Sequence, residues 1–161
     1  MLTAYRIFKT VHAPNWFDGE GSYLYGGRWN SPGIRVLYTA ASLSLAALEM
    51  LVYIDDEDMI DEYSWATVEF DEGLVVTVES VGRIPTNWKD YSVRETVCAI
   101  GNRWVLSNEN AVLRVPTAIV PGEFNYLINL SHSAIDKIKF GPVQNFLFDK
   151  RLARKDRAKN I

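Results

Sequence analysis

Apolar residues fall in short alternating runs separated by turn residues, with longer apolar stretches at helical spacing between them. Tyr5-Arg6-Ile7-Phe8 sets aromatic and β-branched residues ahead of a polar loop and predicts a first strand. That loop passes through Pro14, Gly19 and Gly21 to Gly26-Gly27. After the turn residues Ser31-Pro32-Gly33, the run from Ile34 to Thr39 predicts a second strand. Ser42 is placed to N-cap a helix reaching about Ile54, rich in Ala and Leu and apolar nearly all round, which implies burial. Ser64 to Phe70 alternates, Leu74 to Val78 repeats the pattern, and the turn signal Asp71-Glu72-Gly73 between them predicts a hairpin.

Ser92-Val93-Arg94-Glu95 has the capping-box pattern of a helix start. The helix runs to about Leu106, with Val93, Val97, Ile100 and Trp104 on its core face. Ala111 to Val115, Pro116 and Ala118 to Val120 read as a strand interrupted by proline. Asn125 to Asn129, Ile138 to Phe140 and Phe146 to Phe148 complete the extended segments, and Lys150 to Lys159 reads as a short charged helix. Strands and helices mix without a regular βαβ alternation. The expectation is an α+β fold, one compact domain over residues 1–161, with mixed, mainly antiparallel sheets and flanking helices.

Composition narrows the function. With 161 residues, 48% hydrophobic and 23% charged, the chain can bury a real core. A net charge of -3 argues against a dominant affinity for nucleic acid or an anionic membrane. Cys98 is the single cysteine, read as lying on the buried face of a helix, so a reducing, cytoplasmic setting is the default. The first residues lack the layout of a signal peptide, and the apolar run Val36–Ile54 carries Tyr38, Thr39, Ser42, Ser44 and Glu49, which argues against a membrane span. The acidic cluster Asp55 to Asp58 reads as a solvated loop rather than a metal site.

Several familiar chemistries find no motif. No GxxxxGK[ST] loop, GxGxxG turn, HExxH helix or cysteine pair is present, and His12 and His132 are the only histidines. A triad drawn through Ser131 or Ser133 has no GxSxG elbow behind it. What stands out is Glu49, the lone charge of the Val36–Ile54 run. A carboxylate in apolar surroundings is costly unless paired, hydrogen-bonded or used. Arg28 follows two glycines and could clamp an anion, or could equally be a surface arginine in a turn. Tyr38 could pack in the core or stack on a planar ring. For Glu49 the competing structural role is an ion pair with Arg6, Arg28 or Arg35. The turn Asn129-Leu130-Ser131-His132 could simply cap the next helical turn.

These residues carry a resemblance. Tyr5-Arg6-Ile7, Gly26-Gly27-Arg28-Trp29-Asn30-Ser31-Pro32-Gly33, Val36-Leu37-Tyr38-Thr39-Ala40 and the block from Ser42 to Leu48-Glu49 are its specific part. Val115-Pro116-Thr117-Ala118, Asn125 to Asn129 with Ser131-His132, and Phe148 to Leu152 extend it over nearly the whole chain. The sequence resembles the RES-domain proteins, toxins of Xre–RES type II toxin–antitoxin modules, named for an arginine, a glutamate and a serine. The resemblance implies a fold like ADP-ribosyltransferase toxins, with NAD+ as substrate and neither a metal nor a further cofactor. It implies depletion of NAD+ by cleavage of the nicotinamide–ribose bond, by hydrolysis or phosphorolysis, or else transfer of ADP-ribose to a protein.

Carried onto this chain, the arginine is Arg28, the glutamate Glu49 and the serine Ser131. The family often has proline-like residues around this turn, where the chain reads Asn129-Leu130-Ser131-His132-Ser133, so Ser133 is the other choice. Arg28 and Arg6 would hold the pyrophosphate, Tyr38 would pack on the nicotinamide ring or ribose, and Ser131 would hydrogen-bond the same end. The implied partner is an Xre-type helix-turn-helix antitoxin, with room for a homodimer inside that complex. A different class, an RNA-binding module resting on the aromatics and the Lys150–Lys159 tail, runs against the acidic balance.

Overall fold

A computed structural model describes residues 1–55 and 57–153. Its strands are β1 (Leu2–Lys9), β2 (Leu37–Ala40), β3 (Tyr63–Phe70), β4 (Val75–Thr77), β5 (Val112–Pro116), β6 (Phe124–Ile128), β7 (Lys139–Phe140) and β8 (Gln144–Phe146). Its α-helices are α1 (Glu20–Tyr25), α2 (Leu43–Leu51), α3 (Val78–Val81) and α4 (Arg94–Ser107). The strands form one sheet in the order β4-β5-β6-β2-β1-β3-β7, with β8 also on β3. Every pairing is antiparallel except β4 with β5. The fold is α+β with a mainly antiparallel mixed sheet, as the sequence indicates.

One seam matters for the site. β1 and β3 pair along all eight residues of each strand, Leu2↔Phe70 through Lys9↔Tyr63. β2 and β6 pair from Leu37↔Ile128 to Ala40↔Asn125. Between those two well-laddered halves, β1 and β2 share only the register pair Tyr5↔Ala40.

Alternation then divides the side chains. Ala4, Phe8, Leu37, Ala66, Val68, Phe70, Val112 and Ile128 face one way and bury together with Trp16. On the other face α4 covers Leu113, Val115 and Leu127 with Val97, Ile100 and Trp104. On that same face α2 covers Ile7, Ala40 and Tyr63 with Leu45 and Ala46. The two helices therefore flank the seam.

Several local expectations change. The second strand begins at Leu37, not Ile34, because the backbone before it is held by side chains instead of a ladder. Ser22 Oγ donates to the Val36 carbonyl and accepts the Val36 N–H at 2.9 Å, and Asn30 Nδ2 donates to the Ile34 carbonyl at 2.8 Å. The predicted 64–70/74–78 hairpin does not form. Asp71 caps a short 3-10 turn at Glu72–Leu74, and the chain crosses to the opposite edge, where β4 pairs in parallel with β5. Both sides of β3 are already taken by β1 and by β7 with β8.

Ser42 does cap α2, accepting the Leu45 N–H at 3.1 Å, but the helix stops at Leu51. The Ser92–Glu95 capping box is not used. A 3-10 turn at Tyr91–Val93 leads into α4, whose N-cap is Val93 without a side-chain cap bond. The core face of α4 is Val97, Ile100 and Trp104, as the spacing predicts, joined by Cys98 and Gly101 while Val93 is half-buried. Gly101 is required there, since a Cβ would meet the Trp29 carbonyl oxygen at 1.8 Å. Residues 118–120 form a turn rather than a continued strand, and Lys150–Leu152 is a single 3-10 turn. The rest of the expected C-terminal helix lies outside the described residues. Among the described residues, no helix is long and apolar enough to cross a membrane, and no acidic, His or Cys cluster could hold a metal ion.

Candidate active site

Glu49 lies late in α2, where the helix passes over the end of β6. Its Oε1 accepts hydrogen bonds from Thr117 Oγ1 at 2.7 Å and Asn125 Nδ2 at 2.6 Å. Both donors come from strand ends on the other side of the seam. Thr117 follows Pro116, the last residue of β5, and Asn125 stands in register with Ala40 of β2 and Val115 of β5. Thr117 Oγ1 also accepts the Ile119 N–H at 3.1 Å, which leaves its proton for the carboxylate. Oε2 of Glu49 makes no hydrogen bond among the described residues. The carboxylate is thus oriented through one oxygen and free at the other, on a half-buried residue.

The competing ion-pair role for Glu49 is not what the structure builds. Each candidate arginine is engaged elsewhere. Arg35 pairs with Glu20 at 2.9 Å, Arg6 donates to the Tyr38 carbonyl at 2.8 Å, and Arg28 donates to the carbonyls of Trp88 and Lys89 at 3.3 and 3.1 Å. Charge on Glu49 is therefore stabilised by neutral donors, an arrangement that does not cancel it.

Arg6 fills the place where the β1–β2 ladder is interrupted. Its guanidinium is deeply buried, with Nε unpartnered. Burial lowers its pKa to about 10, partly opposed by Asp18, so it remains a cation at neutral pH. Tyr38 points from the neighbouring strand into the glycine-rich loop. Its hydroxyl donates to Asn30 Oδ1 at 2.6 Å and accepts the Trp29 N–H at 3.1 Å. A Cβ at Gly27 would lie 2.5 Å from that hydroxyl, which is why the loop needs a glycine there. Burial pushes the Tyr38 phenol up, so it stays protonated and serves as the loop's anchor.

Arg28 stands exposed on this loop, with its guanidinium carbon 5.4 Å from the Trp88 ring centre. Cys98, buried in α4, donates its thiol to the Gly27 and Arg28 carbonyls at 3.3 and 3.4 Å. The loop is tied to α4 on one side and to Tyr38 on the other.

The structure brings Glu49, Thr117 and Asn125 into contact, and separately sets the Arg6 guanidinium on the Tyr38 backbone carbonyl. Ser131 is elsewhere. Asn125 is the second residue of β6, at the Glu49 end, and Ser131 comes three residues past Ile128, its last residue. An extended strand advances about 3.3 Å per residue, so β6 itself separates the two. Ser131 is exposed, with its N–H donated to Asn129 Oδ1 at 3.1 Å; Ser133 is exposed on the same turn. His132 is buried there, its Nδ1 accepting the Ala134 N–H at 3.0 Å, so the turn is capped from within. The hydroxyl that meets Glu49 belongs to Thr117, in a block already visible as Val115-Pro116-Thr117-Ala118. Asn125, too, stands at the start of a quoted block, without a charge or glycine to draw attention to it.

A family model described as the RES domain matches residues 3–149. The chain is 35% identical over 153 residues to a "Toxin Res" of Yersinia enterocolitica, covering 94% of this chain and 99% of that protein. It is 32% identical over 140 residues to a "Prs ADP-ribosylating toxin" of Sphingobium, covering 86% and 87%. In fold it matches a chain of the M. tuberculosis MbcT–MbcA toxin–antitoxin complex with a TM-score of 0.71 at 18% identity, over 91% of this chain and 84% of that one.

Proposed function

This chain belongs to the RES-domain family, and on that premise we propose that it is the toxin of a toxin–antitoxin pair that cleaves the nicotinamide–ribose bond of NAD+. The observation that supports the reading most is the Glu49 carboxylate, held by two neutral donors on Oε1 with Oε2 left free. When the bond from the ribose C1′ to the ring nitrogen breaks, both electrons leave with neutral nicotinamide. Positive charge then collects on the ribose carbon and its ring oxygen. A fixed, uncancelled carboxylate stabilises that charge more than it stabilises the bound ground state. Water adding at C1′ and losing a proton gives ADP-ribose; phosphate adding there gives the 1-phosphate.

The exposed Arg28 is the cation available to contact the pyrophosphate, and Arg6, with its guanidinium buried against the Tyr38 carbonyl, would reach it only if its present cover is displaced. The half-buried ring of Tyr38 offers an apolar surface to nicotinamide or ribose. Ser131 has no part in this assignment, and Thr117 takes the hydroxyl role beside Glu49. The cognate antitoxin is the proposed protein partner, consistent with the toxin–antitoxin complex that shares this fold. A second reading keeps the same bond cleavage and gives ADP-ribose to a protein side chain. It is favoured by the name of the Sphingobium relative, an ADP-ribosylating toxin.

The test is product analysis of the purified chain with NAD+, in buffers with and without phosphate and with a bacterial lysate as a source of acceptors. Free ADP-ribose, its 1-phosphate or a labelled protein selects the acceptor. Glu49→Gln is expected to lower NAD+ loss about 10²- to 10³-fold with the circular dichroism spectrum unchanged. A wild-type protein that leaves NAD+ intact under all three conditions overturns the reading.

A further inference from the structure

Asn125 carries more than the orientation of Glu49. A carboxylate oxygen can only accept, so the Asn125 atom 2.6 Å from Glu49 Oε1 must be the NH2 group. That fixes the amide: its carbonyl oxygen Oδ1 points the other way. Oδ1 is shut away from bulk water and has no partner among the described residues. An unsatisfied buried acceptor is costly, and such groups in folded proteins generally find a donor. Its neighbour in register on β2 is Ala40, a small buried side chain that supplies no donor, so Oδ1 meets one only when a group from outside the chain displaces its present cover.

We propose that Asn125 is a substrate-reading residue whose Oδ1 accepts a hydrogen bond from a neutral donor on the nucleotide while its NH2 holds Glu49. This rests on the NAD+ reading above. Two groups beside the scissile bond have the required chemistry, a ribose hydroxyl and the NH2 of the nicotinamide carboxamide. Either would reach Oδ1 only when the ribose is also placed against Glu49, because one side chain serves both contacts. Substrate recognition and carboxylate alignment are thereby joined in a single amide. A ligand lacking the donor leaves Oδ1 unpaired, and a polar site of this kind rejects such analogues strongly.

The experiment compares kcat/KM for NAD+, for nicotinic acid adenine dinucleotide, which replaces the carboxamide, and for an analogue with fluorine in place of the ribose 2′-hydroxyl. Each is measured with the wild type, Asn125→Ala and Asn125→Asp, and intrinsic reactivity cancels when each preference is expressed as a ratio between proteins. Loss of one buried acceptor should shrink the preference for NAD+ over one of the two analogues about 10- to 100-fold in Asn125→Ala. The analogue affected identifies the donor. Asn125→Asp retains an acceptor but loses the NH2, and should keep that preference while its rate falls on all three substrates. An Asn125→Ala protein that keeps the full wild-type preference against both analogues overturns the proposal and leaves the NAD+ reading standing. If Asn125→Ala does not fold, Asn125→Ser replaces it with the same two outcomes. A wild type that cleaves none of the three overturns both inferences.

Discussion

Helices α2 and α4 lie on the same face of the sheet and make opposite use of their apolar residues. Helix α4 mixes Arg94, Glu95, Asn102 and Arg103 among its apolar positions, yet buries Val97, Cys98, Ile100, Gly101 and Trp104. Helix α2 has no charge but Glu49, yet fully buries only Leu45 and Ala46. Leu48 is 41% exposed, and beyond the helix Val52 is 56% and Tyr53 82% exposed. Apolar content was a poor guide to burial here. Periodicity was a good one, because a stripe at helical spacing can be covered by a sheet while residues spread all round a helix cannot. Glu49 stands on the less buried of the two helices, so α4 packs the core while α2 presents the proposed catalytic carboxylate.

Substitutions can break that distinction. The largest effect belongs to Trp104→Ala, which empties the centre of the α4 core and removes the indole N–H bond to the Asn110 carbonyl. It should cost about 3–5 kcal/mol in urea unfolding. Next comes Thr117→Val, which keeps the shape of a buried side chain and deletes the hydroxyl bond to Glu49. Activity on NAD+ should fall about tenfold or more, with restoration in Thr117→Ser, because a hydrogen bond to a charged group is worth about 1.5–3 kcal/mol. The smallest effect is expected from Leu48→Gln on the exposed side of α2, within about 0.5 kcal/mol of wild type by thermal unfolding. Should Leu48→Gln destabilise as much as Trp104→Ala, α2 would be core after all and the division between scaffold and site would fail.

Much of the fold was legible where a local signal had a local consequence. Ser42 caps α2 because its hydroxyl meets an N–H three residues on, and Val97, Ile100 and Trp104 share a face because helical spacing puts them there. The strands around Tyr5–Phe8, Ser64–Phe70 and Asn125–Asn129 were visible for the same reason. The errors arose where distant groups compete for one backbone. Leu74–Val78 reads as the partner of Ser64–Phe70, but both edges of that strand are filled by segments from elsewhere in the chain. Ile34–Val36 has strand-like residues, but Ser22 and Asn30 claim its backbone groups first.

The site divides along the same line. The sequence by itself determined that Glu49 is a charge out of place, that Gly26-Gly27 frees the backbone before Arg28, and that Tyr38 stands beside them; these follow from residue type and short spacing. Only the tertiary structure decided what each one faces. It turned Arg6, Arg28 and Arg35 away from Glu49, left Ser131 at the far end of β6, and delivered Thr117 and Asn125 from 68 and 76 residues away. A hydroxyl and an amide are common and uncharged, so nothing local marks them. Their role appears only when strand register brings the ends of β5 and β6 within reach of Glu49.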